Sequence, residues 1–196
     1  MPRLIPYAQL RPTPWKNGGG ITRQIAIWPP EASLEDFQWR ISTAEVRSEG
    51  PFSSYPCVDR ILIVATPGRQ TVLSSPDWAA PRPLHYGIPL YFHGETPITA
   101  TLPDGPLRDF NVMCRRGQAC TSLQVHSGPA TLQSGGECRL LHSLGGTAIL
   151  HVPTGEELRL APGDSLLWPS ADPAHFLELT ALAVGGQLID VQLRPR

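Results

Sequence analysis

The chain has 196 residues, 41% of them hydrophobic and 17% charged, which is apolar enough to bury a core and excludes a disordered chain. Its 16 Lys and Arg against 17 Asp and Glu give a formal charge of −1, without the positive excess that nucleic acid or an anionic membrane surface requires. The 22 prolines and 18 glycines interrupt long helices, so the expected class is all-β.

The N-terminus, Met1-Pro2-Arg3-Leu4-Ile5-Pro6-Tyr7, contains no apolar stretch of signal-peptide length, and the clearest apolar run, Ile61 to Ala65, is far too short to span a bilayer. A cytoplasmic location is the expectation. Lys16 is the chain's one lysine among fifteen arginines, and it sits in Trp15-Lys16-Asn17-Gly18-Gly19-Gly20. That triplet lacks the continuation of a phosphate loop and the spacing of a dinucleotide fingerprint. Glycines nevertheless let backbone N–H groups crowd toward an anion, with Lys16 and Asn17 adding a charge and an amide, or they form a plain tight loop before a strand.

Strand signals follow at Ile21 to Trp28, Phe37 to Val46, Arg60 to Thr66, Ile98 to Leu102 and Asp109 to Met113, with a short turn at Leu34 to Phe37. Alternation places Arg40, Ser42 and Ala44 on one strand face, which suits a barrel interior with room beside the guanidinium. Arg60 shares its face with Leu62 and Val64, a cation above a hydrophobic floor. Asn111 shares a face with Asp109 and Met113 and offers a donor and an acceptor to a bound amide.

Further strands are expected at Thr147 to Val152, Glu157 to Leu160 and on both sides of Gly185-Gly186, with hairpin turns at Thr154-Gly155 and Gly185-Gly186. Leu62 to Leu73 aligns with Ile149 to Leu160 at an offset of 87, and Thr101 to Gly105 aligns with Ala181 to Gly185 at an offset of 80, suggesting two copies of one β-barrel. Ala161-Pro162-Gly163-Asp164 between two strand segments resembles the turn of cupin jelly rolls. No two of the six histidines stand two residues apart, and His175 alone occupies the place of a cupin's last metal-binding histidine, so no metal or other cofactor is expected. Cys57, Cys114, Cys120 and Cys138 form no C-x-x-C and are read as free thiols.

Taken together, Trp15-Lys16-Asn17-Gly18-Gly19-Gly20-x-Thr22, Trp39-Arg40-Ile41-Ser42-x-Ala44-x-Val46, Gly50-Pro51-Phe52-Ser53-x-Tyr55-Pro56-x-Val58-Asp59-Arg60 and Asp109-Phe110-Asn111-x-Met113 followed by Arg115-Arg116 closely resemble the HutD/Ves family. The resemblance implies a bicupin, two cupin-like jelly-roll barrels over residues 1–120 and 121–196, the first carrying the motifs. It further implies a metal-free bacterial protein that binds an intermediate of histidine breakdown, such as urocanate or N-formyl-glutamate, and limits the pathway's output. The family's motif residues carry over to a ligand-binding set of Lys16, Asn17, Gly18, Arg40, Ser42, Arg60 and Asn111. Cys57 stands where that family usually has glycine. The expected partner is a small anionic metabolite, not nucleic acid or membrane, with homodimer formation left open. Two other classes stay on the table: a metal-independent enzyme acting on a small organic acid, although no G-x-S-x-G, S-x-x-K or H-E-x-x-H is present, and a structural or stress-related interaction protein without a ligand.

Overall fold

The computed structural model describes residues 2–133, 138–151, 157–168 and 178–195. Among them there is one 3-10 turn, Tyr7–Gln9, no α-helix, and nineteen strands: β1 Arg3–Ile5, β2 Pro12–Pro14, β3 Gly20–Trp28, β4 Trp39–Val46, β5 Gly50–Pro51, β6 Val58–Val64, β7 Gln70–Ser74, β8 Arg82–His85, β9 Leu90–His93, β10 Thr99–Thr101, β11 Leu107–Arg115, β12 Ala119–His126, β13 Ala130–Gln133, β14 Cys138–Leu144, β15 Thr147–His151, β16 Glu157–Leu160, β17 Ser165–Trp168, β18 Glu178–Val184 and β19 Gln187–Pro195. Among the described residues no helix is long and apolar enough to cross a membrane. The expected Thr154-Gly155 turn and His175 lie outside the described residues.

The chain divides into two compact units, Arg11–Ala119 and a second made of Met1–Leu10 with Cys120–Arg196. The first ten residues, expected in the first barrel, belong to the second because β1 pairs with β17, Arg3 opposite Leu167 and Ile5 opposite Ser165. Asp164 of the Pro-Gly-Asp turn fixes this edge: its Oδ1 accepts the Tyr7 N–H at 2.8 Å and its Oδ2 the Ala161 N–H at 3.1 Å.

Each unit is a pair of facing antiparallel sheets. In the first the orders are β2-β3-β4-β11-β6-β9 and β5-β10-β7-β8; in the second they are β1-β17-β14-β19-β12 and β13-β18-β15-β16. Each strand from β4 to β11 therefore has a counterpart eight strands later, β4-β11-β6-β9 matching β12-β19-β14-β17 and β5-β10-β7-β8 matching β13-β18-β15-β16, a duplication within one chain. The Gly105 turn, at φ 83°, corresponds to the Gly185 turn, at φ 69°, as the offset of 80 anticipates. The offset of 87 does not hold: it matches β6 with β15, whereas topology pairs β6 with β14, and apolar strand-turn-strand sequences are too alike to tell the two apart.

Alternation explains the interiors. Between the sheets of the first unit lie Leu62, Val64 and Phe92 from one side and Leu73, Leu84 and Ala100 from the other. Between those of the second lie Leu141, Leu166 and Leu188 against Leu132, Leu150 and Leu160. All four cysteines are free.

Candidate functional site

Three adjacent strands of the first unit, β4, β11 and β6, lay out the floor of a cavity in rows set by their register. Met113 stands opposite Arg40 on one side and Arg60 on the other, Asn111 opposite Ser42 and Leu62, and Asp109 opposite Ala44 and Val64. Two strand spacings separate the arginines, about 10 Å between backbones, which two long side chains leaning toward each other readily span.

The cavity measures about 730 Å³, and its walls include Lys16, Asn17, Arg40, Ser42, Arg60 and Asn111, together with Asp109, Gln24, Tyr55 and Phe52. Gly18, expected in the set, is not among the lining residues. It occupies the left-handed region at φ 72° and closes a turn by donating its N–H to the Trp15 carbonyl at 3.0 Å. Nor do the glycine amides form an anion cradle. The Gly19 N–H is held by Asn17 Oδ1 at 3.0 Å, and Gly20 enters β3 opposite Val46. Glycine is required at 20 for space, since a Cβ would lie 2.5 Å from the Glu45 carbonyl and 3.0 Å from the Trp15 ring. Lys16 and Asn17 are exposed and sit on the rim, while Arg40, Ser42, Arg60 and Asn111 are buried.

Arg60 is only 7% exposed. The rings of Phe92, Tyr55 and Phe52 lie 5.0, 5.6 and 5.5 Å from its guanidinium carbon, and one terminal N–H reaches the Ser53 carbonyl at 3.3 Å. Its Nε has no hydrogen-bond partner. Burial draws its pKa down to about 10 against the opposing pull of Asp109 and Tyr55, with Arg40 adding a smaller downward push, and it remains a cation at neutral pH. Arg40 donates from Nε to Gln24 Oε1 at 3.0 Å and lies 3.8 Å from Met113 Sδ. A bulge in β3 between Gln24 and Ala26 sits beside this contact.

Asp109 belongs to the site although the sequence reading noted it only as a neighbour of Asn111. Its Oδ1 accepts the Ala44 N–H at 3.1 Å. Burial raises its pKa to about 7, outweighing the opposing pull of Arg60, the Ala44 hydrogen bond and Arg40. The available signal was the shared face: positions 109, 111 and 113 alternate into one interior.

The second unit carries the same positions with different chemistry. Arg139 and Asp190 follow Arg60 and Asn111 by 79 residues each, and Asp190 faces Leu141 as Asn111 faces Leu62. Here the arginine is closed off, Nε to Asp190 Oδ1 at 2.6 Å and Nη2 to Oδ2 at 2.7 Å, with Asp190 1% exposed. Leu188 replaces Asp109 by the same offset and packs in the core.

Among the described residues no three His, Cys, Asp or Glu side chains are grouped to hold a metal ion. The paired sheets, duplicated in one chain, define an all-β protein of cupin fold. Oxalate decarboxylase of Bacillus subtilis shares it at TM-score 0.59 and 8% identity, over 97% of this chain and 76% of that one. The HutD family model matches residues 7–185, and the chain belongs to the HutD family. HutD from Pseudomonas fluorescens SBW25 superposes at TM-score 0.86, 27% identical over the full length of both chains. An uncharacterised 21.2 kDa protein in the hutC 3′ region of Pseudomonas putida is 31% identical over 93% of this chain and 92% of its own. Protein Ves of Cronobacter sakazakii is 38% identical over 57% of this chain, and the match spans 59% of that protein's length.

Proposed function

We propose that the first unit binds a small carboxylate of histidine breakdown, urocanate or N-formyl-glutamate, in the cytoplasm, and that occupancy modulates histidine utilisation. The observation that carries the reading is Arg60: a buried cation with Nε unpartnered, at the position where the second unit supplies an internal carboxylate. A ligand carboxylate at Arg60 completes the charge-assisted pair that Asp190 makes with Arg139. Arg40 in the same row, two strands away, and Lys16 on the rim add positive charge for a second carboxylate. The link to histidine utilisation is supported by the P. putida relative, whose gene region is that of hutC.

Calorimetry with urocanate and N-formyl-glutamate tests the reading. Arg60→Ala is expected to cost about 2–5 kcal/mol of binding, and Arg194→Ala, which removes an exposed charge, less than about 1 kcal/mol. Equal affinities would remove Arg60 from the site. Asp109 favours a second reading, a metal-independent acid–base enzyme, because a carboxyl titrating near neutrality beside two arginines is suited to accept a proton. Turnover of either compound by the wild type, lost in Asp109→Asn, would replace binding with catalysis.

A further inference from the structure

Beside the unpartnered donor of Arg60 the same cavity holds an unpartnered acceptor. Asn111 is 8% exposed, and its Oδ1 is buried with no hydrogen-bond partner. Across β11 the neighbouring side chains in its row are Ser42 and Leu62. Leu62 has nothing to donate, and no hydrogen bond joins Ser42 to the amide. In the second unit the corresponding atoms satisfy each other, Arg139 Nε against Asp190 Oδ1. Exchanging that carboxylate for an amide removes the charge that holds the pair together, and here one donor and one acceptor, on residues lining the same cavity, are buried without partners. A plain carboxylate satisfies only the donor.

We infer that the ligand of this cavity carries a hydrogen-bond donor, N–H or O–H, in addition to its carboxylate, and that Asn111 Oδ1 accepts it. This rests on the carboxylate reading of Arg60. The preference arises because a ligand without the donor buries the amide oxygen and leaves it unpaired. Asn111 is thus the residue that separates donor-bearing acids from simple ones, and Arg60 the residue that requires an acid at all.

Matched pairs of probes test it on the intact chain: urocanate against 3-(oxazol-5-yl)acrylate, in which a ring oxygen replaces N–H and the second ring nitrogen is kept; N-formyl-glutamate against the formate ester of 2-hydroxyglutarate; and 2-hydroxyglutarate against glutarate. Calorimetry on the wild type is expected to favour the donor-bearing member of at least one pair by about tenfold or more. The pair so favoured identifies whether N–H or O–H is read. In Asn111→Ala the ratio is expected to fall to near one. Equal binding within every pair on the wild type, a comparison that needs no variant, overturns the inference and leaves the carboxylate reading standing. A wild-type preference that survives in Asn111→Ala overturns the role of Asn111. Failure of all six compounds to bind overturns the carboxylate reading, and the inference with it.

Discussion

The two halves of the chain share one strand plan and put an arginine at the same place in it, but only the second answers that arginine from within. Arg139 is held by both oxygens of Asp190, and Leu188 fills the next position with hydrocarbon. In the first half those two positions are Asn111 and Asp109, the arginine has an open Nε, and a cavity of about 730 Å³ stands above it. One copy is closed by its own ion pair and the other keeps a cavity, and the two interior positions compared differ between them. What differs between the copies is whether the buried arginine is held by a hydrogen-bonded carboxylate.

The largest expected effect comes from opening the closed copy. Asp190→Asn leaves Arg139 buried without its carboxylate and is expected to destabilise the protein by about 3–5 kcal/mol in urea titration. An unchanged midpoint would mean that the second unit does not depend on the pair. Closing the open copy is the converse. Asn111→Asp gives Arg60 an internal carboxylate, and binding of urocanate or N-formyl-glutamate is expected to fall by about a hundredfold or more, with the melting temperature held or raised. Retained affinity would show that the two positions are not equivalent.

Next in size is a pH effect that the second copy, with leucine at the matching position, lacks. Asp109 titrates near 7 folded and near 3.8 when exposed, so between those values the folded chain holds the extra proton. Its contribution therefore makes stability decline as pH rises from about 4 to about 7, with no further change above. Anion binding is expected to weaken across pH 7 as Asp109 ionises beside Arg60 and Arg40, and Asp109→Asn should flatten both profiles. A profile that keeps its slope in Asp109→Asn would assign it to another group. The smallest effect concerns Cys57, which adopts φ 60° in the turn before β6, where its counterpart 79 residues on in the sequence is Gly136. Cys57→Gly is expected to stabilise by about 1 kcal/mol or less, read as a small rise in melting temperature.

Alternation made much of this legible in the sequence. Arg40, Ser42 and Ala44 face the cavity together because a strand can only present every second residue to one side, and Arg60 follows with Leu62 and Val64 for the same reason. The glycine triplet left a cradle and a tight loop open, because three glycines signal conformational freedom without saying what uses it. Gly18 serves a turn and Gly20 makes room for Trp15. Asp109 was not assigned to the site because the role of a strand carboxylate depends on burial, and burial is decided by the facing sheet. The pairing of Asn111 with Asp190 was hidden for a similar reason: it appears only once β6 and β14 are known to be equivalent, and local similarity had suggested β15.

The order in which the chain is made bears on strand β1. Arg3–Ile5 leave the ribosome before the whole of the first unit, yet their hydrogen-bonding partners, Ser165–Leu167, leave it only afterwards. The first unit can complete all its sheet pairings while those early residues wait unpaired. A fragment starting at residue 120 lacks that strand and presents β17 as a bare sheet edge, open to another chain. No single cut in the backbone separates the two copies cleanly.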